Sequence, residues 1–91
     1  MATQRLEIGE GAANSDDVTV AAGETLTVAL NDTDSELNSG ATVYVKVKDP
    51  DDRYMTIGEL TAANPCQVIM GAGTYQFSRP ASSARCGVFS A

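Results

Sequence analysis

Ala41-Thr-Val-Tyr-Val-Lys-Val-Lys48, running through Asp49-Pro-Asp-Asp52 into Arg53-Tyr-Met-Thr-Ile-Gly-Glu-Leu60, is the stretch that decides the fold. Val43, Val45 and Val47 alternate with Tyr44, Lys46 and Lys48, a period of two that puts β-branched side chains on one face of a strand. Pro50 suits the second position of a type I turn, and the aspartates beside it can accept bonds from nearby backbone amides. The segment after the turn is therefore expected to return as an antiparallel partner. Lys46 or Lys48 opposite Glu59 or Asp52 would add a few tenths of a kcal/mol across such a pair.

The same pattern extends in both directions. Gln4–Ile8 reads as a first strand with Leu6 and Ile8 inward, and Gly9–Asp16 as a loop of glycine and small polar residues. Val18 and Val20, then Leu26, Val28 and Leu30, mark two strands joined by Ala21-Ala22-Gly23. They are either neighbours or one bent strand crossing between sheets. Residues 31–40 form the longest polar stretch and an exposed loop. Asn64-Pro65 makes a turn before Cys66–Met70, where Val68, Ile69 and Met70 are consecutive and apolar. That run implies a strand covered on both faces, either within the fold or by a neighbouring subunit. Thr74–Ser78 puts Tyr75 and Phe77 inward, and Ala84–Phe89 puts Cys86 and Val88 on one face and Phe89 on the other. About eight short strands without helical periodicity indicate an all-β protein: an antiparallel β-sandwich or small barrel of jelly-roll type.

At 91 residues this is one domain over 1–91, with a flexible arm expected over residues 1–5. A domain of this size buries only about 60–65% of its unfolded surface, so an oligomer or docked subunit is expected. Twelve acids against six bases give a net charge of −6, a field that repels phosphate and argues against nucleic acid and anionic membranes as partners. No apolar leader or spanning segment is visible, and synthesis in a cytoplasm is expected. Cys66 and Cys86 are the two cysteines. In such a setting they are expected to be reduced core residues, although a bridge under oxidising conditions would contribute about 3 kcal/mol.

Histidine is absent from the sequence. Acid–base work would fall to carboxylates, most of them in turns, and a glycosidase cleft would need aromatic platforms that three Tyr and no Trp hardly supply. No catalytic residue, metal or cofactor is expected, and the sequence reads as a non-enzyme. Asp32-Thr-Asp-Ser-Glu36 opens like a calcium loop, but Leu37 stands where the glycine belongs and Val43 where the bidentate Glu belongs. Arg79-Pro80 has two readings: Pro80 ends a strand and Arg79 is solvated, or Arg79 pairs with a carboxylate on a partner or neighbouring copy, joined by Arg85.

Gly73-Thr-Tyr-Gln-Phe-Ser-Arg-Pro-Ala81, followed by Cys86-Gly-Val-Phe89, resembles the end of small β-sandwich virion proteins of tailed bacteriophages. Asp17–Val28 is similar to their N-terminal strands. The resemblance implies a capsid decoration, or cement, protein that sits on the outer surface of the shell and stabilises it. A homotrimer bound to the major capsid protein is the implied assembly, and the virion its implied location. Val68, Ile69, Met70, Arg79, Arg85 and Phe89 are the interface candidates. The alternative is a carbohydrate-binding or adhesive module of a tail or head fibre, for which Tyr44 and Tyr54 are the plausible platform.

Overall fold

The computed structural model describes residues 2–33, 36–81 and 84–91, and these form an antiparallel β-sandwich of nine strands. They are β1 (Thr3–Gly9), β2 (Ala13–Asn14), β3 (Val18–Val20), β4 (Thr25–Asn31), β5 (Thr42–Lys48), β6 (Tyr54–Thr61), β7 (Cys66–Met70), β8 (Gly73–Arg79) and β9 (Cys86–Ser90). One sheet has the order β1-β9-β4-β7; the other has β2-β8-β5-β6, with β3 also pairing β8. The molecule measures 34 × 27 × 20 Å. The short dimension is what two sheets about 10 Å apart need once outward side chains are added.

The β5–β6 hairpin forms where the alternation places it. Asp49 and Arg53 close it through a 2.7 Å amide–carbonyl bond, and Asp52 takes a left-handed φ of 61° that returns the backbone. Val43, Val45, Leu60 and Phe77 are fully buried between the sheets with Val28 and Val88. Across the hairpin the predicted charge pairing does not occur. Tyr44 faces Glu59, Lys46 faces Thr56 and Lys48 faces Tyr54, and a bulge between the first and second of these pairs shifts the register. Lys48 pairs instead with Asp17 at 3.3 Å.

Ala21–Glu24 carries the backbone between sheets: β3 pairs β8 in one and β4 pairs β7 and β9 in the other. Ala13–Asn14 adds a short strand inside the segment expected to be a loop, bonded to Ser78–Arg79. Thr3–Arg5, expected as a free arm, lies in β1, with Thr3 opposite Ser90 and Gln4 opposite Phe89; Met1 lies outside the described residues. Between Leu6 and Gly9 the register shifts again. Leu6 points into the core while Ile8 lies over Gly87, on the outer side, rather than inward as alternation alone suggests.

The cysteines part company. Cys86 is buried on the inner face of β9 and Cys66 is exposed on β7. Only the first is the core residue expected. Among the described residues no helix is present, and none is therefore long and apolar enough to cross a membrane.

Candidate functional site

The strand Cys66–Met70 alternates after all. Ile69 is 4% exposed and faces the core opposite Leu26, while Val68 and Met70 are 51% and 76% exposed. Ile69 therefore leaves the set of contact residues: its side chain is a core side chain. The other two stand on the outer face of the β1-β9-β4-β7 sheet.

Register defines that face, because directly paired residues share a side of the sheet. Met70 pairs with Thr25, Val68 with Thr27, and Cys66 with Ala29, which in turn pairs with Phe89. Phe89 is half-buried beside Gln4, and Asn31 faces Gly87. None of these residues is charged. The outer face of the other sheet differs: it presents Tyr44, Lys46, Lys48 and Glu59 among Ser78, Gln76 and Tyr54. In a protein of net charge −6, the part of this face built by β4, β7 and β9 is thus free of charged side chains.

The remaining large exposed apolar residues are Met55 and Ile57, at 52% and 53%, both on β6. β6 and β7 are the edge strands of their respective sheets. They lie side by side, since a Cβ on Gly58 would touch the Gln67 amide at 3.5 Å. Among the described residues, the four exposed large apolar side chains therefore sit on one pair of neighbouring edges. Met55 and Ile57 escaped the sequence reading, although a signal was present. Met55 and Ile57 stand at odd spacings from the inward Leu60, the positions that period-two alternation assigns to the outer side.

Arg79 is neither solvated nor presented on the surface. It is 6% exposed, at the end of β8, and ties three separate segments together. Its Nε donates to Gly11 O at 2.7 Å, and Nη1 donates to Glu7 O at 2.9 Å and Cys86 O at 2.6 Å. Pro80 follows it and donates no amide bond, so β8 ends there. Arg85, just before β9, donates from Nε to Asp32 at 2.7 Å and from Nη2 at 3.5 Å. Asp32 is thereby committed, and the loop that opened like a calcium site offers this carboxylate to an arginine; Asp34 and Ser35 lie outside the described residues. Burial pushes the Asp32 carboxyl up, and the Arg85 bond with the Thr33 amide overrides it, so the net direction is below the ordinary carboxylate value.

A polar cluster on the other sheet joins Asp17, Lys48 and Tyr54. The Tyr54 hydroxyl donates to Asp17 at 2.6 Å, and Lys48 Nζ lies 5.5 Å from the Tyr54 ring centre. The hydroxyl bond, more than Lys48, holds Asp17 below its ordinary value, and the same bond raises Tyr54. Tyr54 is thus already engaged on its hydroxyl and its ring. Tyr44 lies four residues from Lys48 along β5, roughly 13 Å away, so the two tyrosines form no shared platform. Among the described residues no group of three His, Cys, Asp or Glu side chains stands close enough to hold a metal ion. Compared with known protein families, curated proteins and solved structures, the sequence and its fold match none.

Proposed function

We propose that this is a structural virion protein that binds the outer surface of a tailed-phage capsid as an oligomer and stabilises the shell. One observation carries the reading. Val68 and Met70, with Met55 and Ile57, line two adjacent sheet edges bordering a neutral face that includes Phe89 and Cys66. A patch of that kind marks a contact surface. Covering a side chain of this size contributes about 1.5–3 kcal/mol when it starts fully exposed, and many weak contacts on a repeating shell add by avidity. The absence of charge on that face favours approach of a second acidic copy, which supports self-association, here as a homotrimer around the major capsid protein's symmetry axes. The resemblance of Gly73–Ala81 and Cys86–Phe89 to decoration proteins supplies the shell.

Light scattering after size exclusion, paired with co-sedimentation on shells assembled from a tailed-phage major capsid protein, tests the reading. The wild type is expected to be oligomeric and to pellet with shells. Met70→Glu and Val68→Glu are expected to remain folded and lose both properties. A monomer that stays in the supernatant overturns the proposal. The glycan-binding alternative has less behind it, because Asp17 and Lys48 occupy Tyr54.

A further inference from the structure

A base without a carboxylate needs a reason in a protein with twelve acids and six bases. Lys48 pairs with Asp17, Arg53 with Asp49 and Asp51, and Arg85 with Asp32. Arg5, Lys46 and Arg79 make no ion pair among the described residues. Lys46 stands on the outer face of β5, but Arg5 and Arg79 meet in one place. Both line a cleft of about 390 Å³ between β1 and the Ala13–Asp16 segment. It opens where β1 and β2 end their sheets, on the side away from β6 and β7.

Each guanidinium is aimed by a bond at its Nε. Arg5 Nε donates to Ser90 Oγ at 2.8 Å, and Arg79 Nε to Gly11 O at 2.7 Å. Arg79 spends Nη1 on two carbonyls, while no bond from Nη2 is formed within the described residues. That nitrogen stands 3.2 Å from where a Gly9 Cβ would be, so the glycine leaves it room. Carbonyls satisfy donors but neutralise nothing, and a guanidinium buried to 6% exposure keeps its whole charge in a poor solvent. Glu7 and Asp16 line the same cleft without pairing to either arginine.

We propose that this cleft binds a carboxylate between Arg5 and Arg79, from an acidic side chain or the terminal carboxylate of a bound partner. A planar, singly charged carboxylate matches the donor fork and is repelled less than a phosphate by the acidic surroundings. The site is independent of the neutral face, and it stands whether or not that face meets a shell.

The test is a titration followed by NMR of the arginine Nε–H signals. The probes are N-acetyl-trialanine with a free carboxylate, N-acetyl-Ala-Asp-Ala-amide, and N-acetyl-trialanine amide. Saturable shifts at Arg5 and Arg79 are expected with one or both carboxylate peptides and not with the neutral amide; the peptide that binds identifies the source. Glu7→Gln with Asp16→Asn removes two like charges without touching either arginine and is expected to tighten binding about threefold or more. Arg5→Gln, its fold checked by its dispersed spectrum, is expected to weaken it by a similar factor. Equal shifts with the neutral amide, no saturation with either carboxylate, or an unchanged affinity in the Glu7/Asp16 variant overturns the proposal.

Discussion

Arg85 donates to Asp32 at 2.7 Å, and the Asp32 side chain is only 1% exposed while that of Arg85 is 40% exposed. The pair joins the residue after β4 to the residue before β9, two neighbouring strands of one sheet. Removing the arginine strands a covered carboxylate, whereas removing the charge on the acid does not. Arg85→Ala is therefore expected to destabilise the fold at pH 7 more than Asp32→Asn. The Arg85→Ala deficit is expected to shrink by pH 4, where Asp32 takes up a proton in the variant. Urea denaturation at the two pH values checks both statements.

Asp17 and Tyr54 give a second pH dependence. Asp17 is held below its ordinary value in the fold, so its contribution is present above the unfolded carboxylate pKa near 4 and disappears as pH falls through the folded value. Tyr54 and Lys48 are both raised, Lys48 chiefly by its bond to Asp17, so their contributions are present below about pH 10 and disappear above it. Tyr54→Phe is expected to return Asp17 toward its ordinary value in a carboxyl-carbon NMR titration. The stability gap between Tyr54→Phe and the wild type is expected to close at acid pH.

Two glycines are expected to respond oppositely to alanine. A Cβ at Gly87 would stand 2.6 Å from Leu6 O and 2.9 Å from Ile8 Cγ1, so the β1–β9 pairing must shift. Gly87→Ala is expected to cost about 1–3 kcal/mol. At Gly40 the nearest atom is Ala84 Cβ at 3.6 Å, an ordinary contact. Gly40→Ala is expected to be neutral or to stabilise by up to about 1 kcal/mol. Thermal denaturation of both variants separates the outcomes.

Ile69 and Met70 are adjacent and apolar but are expected to behave as different classes. Ile69→Ala opens a cavity in the core and is expected to cost about 2–5 kcal/mol. Met70→Ala alters a residue that is 76% exposed and is expected to stay within about 0.5 kcal/mol. Denaturant midpoints of the two variants provide the check.

The thiols divide in the same way. Cys66 is exposed and Cys86 is 0% exposed. One fast-reacting thiol is expected in the native protein with a coloured disulfide reagent, and two after unfolding in denaturant. They point to opposite faces of one sheet, so no intramolecular bridge is expected under mild oxidation.

Strand positions were legible because period-two alternation is strong in this sequence. Val43 and Val45 are buried in the core as read and Val47 packs against it, and Tyr75, Phe77, Cys86 and Val88 face it too. The connection at Ala21–Glu24 resolved to a crossing between sheets, which local pattern left open. What failed did so at bulges and at long-range bonds. Ile8 is displaced by the register shifts in β1, which alternation cannot anticipate. Arg79 was illegible for another reason: its partners Glu7, Gly11 and Cys86 are backbone carbonyls, which leave no trace in residue type. The run Val68–Ile69–Met70 suggested cover on both faces, within the fold or by a neighbouring subunit; within the fold only Ile69 is covered, because β7 is an edge strand.

β9 lies between β1 and β4, and among the described residues it is the only strand that β1 pairs with. Residues 3–9 therefore have no ladder partner until residues 86–90 arrive, across most of the length of the protein. A topology of that kind closes its largest loops late and folds slowly for its size. A polypeptide still being synthesised would hold β1 and the open flank of β4 as exposed pairing edges, the state in which β proteins aggregate. Truncation before Cys86 is thus expected to cost far more than five residues of packing, because it removes the strand that joins two others into one sheet.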